Sequence, residues 1–299
     1  MAQKVIMDVD TGCDDAVAML IAGHHKALEL IAALPVHGNA PLEQTIDNTL
    51  RLLEAGKLAH VPVYSGAEAP MIGPIIWGSG DQIVKLPFPR ATIKPRPEHA
   101  VNFLIDYYMS GAGDDTVYMP IAPLTNLALS LRIEPRLKDR IPRIVTMGGA
   151  YSSNFAEFNI AADPEAAHIV YTSGIPITMV GLEVTDIAKI QQEDVDSIRK
   201  LNTPWAIAAA DVMDIVVDIH VKHGLGGAII FDACAVAALI EPSVMETRPM
   251  HIEVELRGAA TRGCTVSDFK TWKKQTPNVE VGIGINRDRF IEIMHEGLA

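Results

Sequence analysis

Short apolar runs and longer amphipathic stretches alternate along most of the chain. Lys4-Val5-Ile6-Met7 reads as a buried strand, and Ala16–Ala22 as an apolar helix. A strand is expected at Leu28–Leu34, a helix at Leu42–Ala55 stopped by Gly56, and a strand at Val61–Tyr64. Pro70–Pro97, rich in Pro and Gly, reads as a long irregular loop. A helix at Glu98–Met109, a strand at Thr116–Ile121 and a helix opening at Pro123-Leu124-Thr125-Asn126 come next. Arg143–Met147 reads as a strand, Asp163-Pro164-Glu165 opens a helix with Pro in its first turn, and Ile175–Val180 is another buried strand. The later chain is less regular. Helices are expected over Pro204–Lys222 and Asp232–Ile240, strands at Met250–Leu256 and Val279–Ile285, and a helix closes the chain. This alternation predicts an α/β fold: a doubly wound, mainly parallel sheet with helices on both faces. No linker or repeat interrupts it, so residues 1–299 are expected to form one domain.

The first strand runs into four acids within eight residues, Asp8, Asp10, Asp14 and Asp15. Two carboxylates about 5 Å apart repel by roughly 3 kcal/mol at an effective dielectric near 20. A helix N-terminus returns only about 0.3–1 kcal/mol per acid. Such a group therefore calls for a bound cation or shifted protonation. N-capping accounts for Asp14 and Asp15, but not for acids on the strand side. Other polar residues collect at the carboxyl ends of predicted strands, where open parallel sheets bind ligands: Asn39, Thr125-Asn126 and Glu157-Phe158-Asn159. Asp232 interrupts the apolar run Ile229–Val236, where it can cap the following helix, bind a metal, or both. The donors are hard oxygens without His or Cys at zinc spacing, which selects Ca²⁺ or Mg²⁺, and a crowded oxygen cage favours Ca²⁺.

Composition narrows the partners. A net charge of −12 with no basic aromatic run argues against nucleic acid and anionic membranes. The three cysteines, Cys13, Cys234 and Cys264, show neither disulfide nor metal spacing. With the first strand following directly on Met1-Ala2-Gln3, a cytoplasmic location is expected.

The run Asp8-Val9-Asp10-Thr11-Gly12-Cys13-Asp14-Asp15-Ala16 resembles the signature of the nucleoside hydrolases, the inosine–uridine-preferring N-ribohydrolase family. The likeness continues in order through Gly38-Asn39, Pro123–Asn126, Met147-Gly148-Gly149, Ala156–Asn159, Asp163–Ala167 and Asp232–Val236. It implies Ca²⁺ held by Asp10, Asp15, Asp232 and the carbonyl of Ile121. Asp14, Asn39, Glu157, Asn159 and Asp232 are implied to hold ribose hydroxyls, with Met147 beside them and Asn154 on the 5′-hydroxyl. The implied reaction is hydrolysis of an N-glycosidic bond to ribose and free base, with Asp10 as general base on a water acidified by Ca²⁺. The resemblance also implies a homo-oligomer, a dimer or tetramer.

Three departures matter. Thr11-Gly12-Cys13 replaces the usual Pro form, and resembles a less characterised branch. Pyrimidine-accepting members carry His where Phe231 and Trp77 stand here, whereas purine-preferring relatives place aromatics there. The expectation is a purine preference, with Trp77 and Phe231 stacking on the base. His220 and His223 are spaced to share a helix face, and His223 is the candidate replacement acid. Two rivals remain. Asp8-Val9-Asp10 mimics the Asp-x-Asp of haloacid dehalogenase-like phosphotransferases, but Gly12 stands where they carry Thr or Val. A non-catalytic ribose-binding protein retaining the Ca²⁺ pocket, or a hydrolase of an atypical N-riboside, is the other.

Overall fold

The computed structural model describes residues 1–76, 85–224 and 226–299. Its strands are β1 (Gln3–Val9), β2 (Leu28–Pro35), β3 (Thr116–Pro120), β4 (Ile144–Met147) and β5 (Ile177–Val180). They continue with β6 (Met245–Met250), β7 (Ile252–Val254), β8 (Thr265–Ser267) and β9 (Val279–Ile285). The first helices are α1 (Cys13–His24), α2 (Leu42–Ala55), α3 (Ala100–Met109), α4 (Thr125–Ile133), α5 (Phe158–Ala162) and α6 (Pro164–Tyr171). The later ones are α7 (Leu182–Thr185), α8 (Gln192–Arg199), α9 (Pro204–Lys222), α10 (Phe231–Ile240) and α11 (Arg287–Leu298).

Seven strands form one sheet in the order β2-β1-β3-β4-β5-β9-β6, parallel except for β6, which runs antiparallel to β9. Strand alternation divides the core between the two faces. Val5, Met7 and Val9 of β1 pack with α1, α2, α9, α10 and α11. Ile6 points the other way, into the layer of α3, α4 and α6. The doubly wound α/β expectation holds. The chain order reverses between β1 and β3, and the crevice beyond their carboxyl ends is where such sheets bind ligands.

Differences from the expected elements have local causes. Val61–Tyr64 forms no strand of its own: Val63 bridges Ala33 and Tyr64 bridges Arg96, while Pro62 has no N–H to extend a ladder. The strand expected at Met250–Leu256 is divided. Met245–Met250 closes the main sheet as an edge strand, and Ile252–Val254 turns away to pair with β8. Pro249 is tolerated because β6 is at an edge. Two helices over 182–199 went unread, α8 being too polar to signal a buried face. Among the described residues, no helix is long and apolar enough to cross a membrane.

Candidate active site

The ends of β1, β3 and β4, the first turns of α1, α5 and α10, and the last turn of α9 surround a cavity of about 450 Å³. Its polar lining includes Asp10, Asp14, Asn39, Glu157, Asn159 and Asp232, and its apolar lining includes Met147, Phe155, Val216, Ile219 and Phe231.

The four N-terminal acids do not form one group. Asp8 lies within β1 and is fully buried, accepting from the Tyr118 hydroxyl and from Asn126 Nδ2 at 2.8 Å. Burial raises its pKa to about 7 against those two hydrogen bonds. It holds strand to helix away from the cavity. Asp15, in the first turn of α1, ties the turn together, accepting from Asp10 N at 3.0 Å and Gly12 N at 2.9 Å. Asn39 N donates to Asp10 Oδ2 at 2.6 Å, and Asn39 Nδ2 to Asp15 Oδ2 at 3.3 Å. The Asn39 loop therefore packs on the acidic turn through its backbone.

That approach requires Gly38. A Cβ there would lie 2.1 Å from Asp10 Oδ2.

One carboxylate oxygen each from Asp14, Asp15 and Asp232 lies within 4.8 Å of the other two. Asp232 is the second residue of α10, whose N-cap is Ile230, so it does not cap the helix. It contacts the Asp14 side chain instead. Burial, then repulsion from Asp14, Asp15, Asp10 and Glu157, raises the Asp232 pKa well above the usual carboxylate range. Burial followed by repulsion from Asp15 does the same at Asp10, and burial followed by Asp14 brings Asp15 to about 7. None of these four acids forms an ion pair with a cationic side chain among the described residues. A hard divalent cation fits this donor chemistry: buried, anionic, all oxygen and uncompensated.

Another part of the lining comes from α5. Glu157 caps that helix, Oε1 accepting from Asn159 N at 3.0 Å and Oε2 from Gly149 N at 2.9 Å. Burial raises its pKa although these amides oppose the shift. Asn159 Nδ2 reaches the carbonyls of Ile121 at 3.2 Å and Met147 at 3.3 Å, joining the ends of β3 and β4.

Of the residues singled out from sequence, Asp10, Asp14, Asn39, Ile121, Met147, Glu157, Asn159, Phe231 and Asp232 line the cavity, and Asp15 braces it from behind. Asn154 is exposed and does not line it; its neighbour Phe155 does. Trp77 lies outside the described residues. His223 is exposed at the C-cap of α9, one turn past the cavity wall, and is not among the lining residues. His220 takes that place. The signal for His220 was its membership of the stripe Val216-Ile219-His220, at i, i+3 and i+4 on α9.

Known proteins resemble this chain along its whole length. The family described as "Inosine-uridine preferring nucleoside hydrolase" matches residues 5–292. A protein of that name from Crithidia fasciculata is 34% identical, the alignment covering 100% of this chain and 98% of the relative. The pyrimidine-specific ribonucleoside hydrolase RihA of Photobacterium profundum is 37% identical, covering 100% and 99%. Among solved structures, a purine-preferring ribonucleoside hydrolase from Gardnerella vaginalis superposes with a TM-score of 0.91 at 31% identity, covering 99% and 98%. The chain thus belongs to the inosine-uridine preferring nucleoside hydrolase family, and it is an N-ribohydrolase acting on ribonucleosides.

Proposed function

We propose that this enzyme is a Ca²⁺-dependent, purine-preferring ribonucleoside hydrolase in which Asp10 is the general base. The observation that carries the reading is one cavity lined both by carboxylates and amides (Asp10, Asp14, Asn39, Glu157, Asn159, Asp232) and by apolar and aromatic side chains (Val216, Ile219, Phe231). The ribose suits the first, because carboxylates accept hydrogen bonds from several hydroxyls at once. A base suits the second.

Asp10, Asp15, Asp232 and the Ile121 carbonyl would hold the cation. Asp14, whose carboxylate oxygen lies with those of Asp15 and Asp232, is a further oxygen donor within reach. When bound, Ca²⁺ supplies Lewis acidity that makes a water easier to deprotonate. Asp10 takes the proton of the attacking water. Its carboxylate is held in place by Asn39 N. Asp14, Asn39, Glu157, Asn159 and Asp232 hold the sugar hydroxyls, fixing C1′ against the nucleophile. Positive charge grows on the ribose as the glycosidic bond opens, and the surrounding buried carboxylates stabilise it. Phe231, at the head of α10, gives the base an aromatic face, with Trp77 proposed as its partner. The relatives' names divide between pyrimidine and purine preference, so the purine reading rests on these two side chains. The same reading includes a cytoplasmic homo-oligomer.

The test is a reducing-sugar assay across purine and pyrimidine nucleosides, with and without chelation, using Asp10→Ala as control. Ribose release from inosine or guanosine that exceeds release from uridine, and disappears on chelation and in Asp10→Ala, is expected. Uridine as the better substrate would end the purine argument. Turnover indifferent to chelation would end the Ca²⁺ argument. Binding of ribose without turnover of any nucleoside would favour the non-catalytic alternative.

A further inference from the structure

A second cavity, of about 300 Å³, shares no lining residue with the acidic one and has the opposite charge. It lies between two extended segments, residues 59–63 and 93–97. Its polar side chains are His60, Lys94 and Arg96, and no carboxylate lines it. None of the three forms an ion pair among the described residues. The chain carries 37 acidic against 25 basic residues, so acids are plentiful and yet none has been placed beside this group. Single exposed lysines and arginines need no explanation; three cationic or titratable side chains around one hollow, without a counter-charge, suit an anion.

The walls are fixed by backbone contacts. Arg96 N donates to the Val63 carbonyl at 2.7 Å and joins one wall to the other. Ala33 N donates to the Pro62 carbonyl at 3.1 Å and joins the first wall to the edge strand β2. Thr92 N, just before the second wall, donates to Glu54 of α2 at 2.6 Å. Pro62, Pro95 and Pro97 lock their own φ angles, so little backbone freedom remains to be lost when a ligand binds. The rest of the lining is apolar, chiefly Val61, Val63 and Ile93.

We propose that this cavity is a second ligand site, which takes a small phosphomonoester. Its phosphate meets Arg96, Lys94 and His60, and its organic group packs on Val61, Val63 and Ile93. A guanidinium offers a planar fork to two phosphate oxygens, and an ammonium adds a point charge. A phosphomonoester carries about −1.5 to −2 charge and three acceptor oxygens, enough for three donors at once. A carboxylate has one charge and two oxygens, and satisfies them less well. A nucleic-acid chain is excluded by the net charge of −12, which repels a run of phosphates. Because the two cavities are separate, nucleoside and phosphoester can be bound together.

The probe is phenyl phosphate, titrated calorimetrically into the enzyme with and without excess ribose, at low and high salt. Binding that is indifferent to ribose and weakens as salt rises is expected. Loss of hydrogen bonds to a charged group weakens binding by about 10-fold or more. Lys94→Ala/Arg96→Ala should therefore bind phenyl phosphate at least about 10-fold more weakly than wild type. Lys270→Ala/Lys273→Ala removes the same charge from another part of the surface and should bind as wild type does. Thermal unfolding checks that each variant is folded. Absence of binding to wild type, an unchanged affinity in Lys94→Ala/Arg96→Ala, an equal loss in Lys270→Ala/Lys273→Ala, or displacement by ribose would each overturn the site. Inorganic phosphate bound as tightly as phenyl phosphate would overturn the phosphomonoester assignment, because the apolar lining would then contribute nothing.

Discussion

Replacing Gly38 by Ala tests whether the Asn39 loop positions the proposed base. The added Cβ would stand 2.1 Å from Asp10 Oδ2, 2.7 Å from its Cγ and 2.9 Å from its Cβ. Relief to an ordinary contact requires movement of roughly 1 Å, and small-to-large changes of this kind cost about 1–3 kcal/mol of stability. Asp10 cannot simply swing aside. Its Oδ2 is tied to Asn39 N at 2.6 Å and its own N–H donates to Asp15 at 3.0 Å, so base and loop must shift together. A misplacement near 1 Å can cost about 10²-fold in rate, equivalent to about 2.7 kcal/mol of transition-state stabilisation. Gly12→Ala provides the scale. There the new Cβ meets Asn39 Nδ2 at 2.9 Å, the far end of a side chain held by one 3.3 Å hydrogen bond to Asp15, so the side chain gives way rather than the backbone or Asp10, and a smaller loss than in Gly38→Ala is expected. The assay is ribose release under saturating inosine, with thermal unfolding to confirm that each variant is folded. A folded Gly38→Ala enzyme retaining more than half the wild-type kcat, or one less impaired than Gly12→Ala, would refute the reasoning.

Other consequences are open to measurement. With three carboxylates inside 4.8 Å, Asp15 and Asp232 buried and Asp14 half-buried, Ca²⁺ at 100 times its dissociation constant should stabilise the fold by about 2.7 kcal/mol, or roughly 5 °C in Tm. Asp232→Asn should lose most of that rise yet be no less stable than wild type in chelator, since it removes one repelling charge. A Tm unaffected by Ca²⁺ would contradict the proposed site. Phe231→Ala should raise KM for inosine by about 3–10-fold, matching the roughly 0.5–1.5 kcal/mol that aromatic pairs contribute beyond area. An unchanged KM would remove Phe231 from the base contact. His37 gives a pH prediction. It is fully buried, its Nε2 bonds Thr125 Oγ1 at 3.1 Å, and its Nδ1 has no hydrogen-bond partner among the described residues. Burial lowers its pKa from 6.5 to about 4. The unfolded chain therefore takes up this proton first, so the contribution is complete above pH 6.5 and lost as pH falls toward 4, by about 3 kcal/mol. Urea unfolding of wild type and His37→Asn across that range should show the steeper acid loss in wild type, and parallel curves would count against it.

What the sequence revealed and what it hid have the same physical origin. The bounds expected for α2 and α9 are those observed, because Gly56 ends one apolar stripe and Pro204 opens the other. The parallel strands were legible because burial on both faces leaves them as continuous apolar runs. The edge strand β6 was not. Its middle, Glu246-Thr247-Arg248-Pro249, is exposed and carries no such run. Within the site, residues on strand ends could be read from their motifs, since the parallel sheet delivers those ends to one crevice. Asp8 shows where reading by proximity along the chain misleads. It has the same strand parity as Asp10, but it lies inside β1, beside Ile6 and against Tyr118, whereas Asp10 stands past the strand end at Val9. What separates the structural acid from the candidate catalytic one is the end of the strand at Val9, which the alternation alone does not mark. The apolar wall had no comparable signal. Val216, Ile219 and Ile229 are the same residue types that fill the core beneath them. Only the placement of the α9 end and the α10 start around one cavity turns them toward a ligand. His220 is the polar member of that wall, and its assignment required knowing where the helix stops relative to the cavity, one turn short of His223.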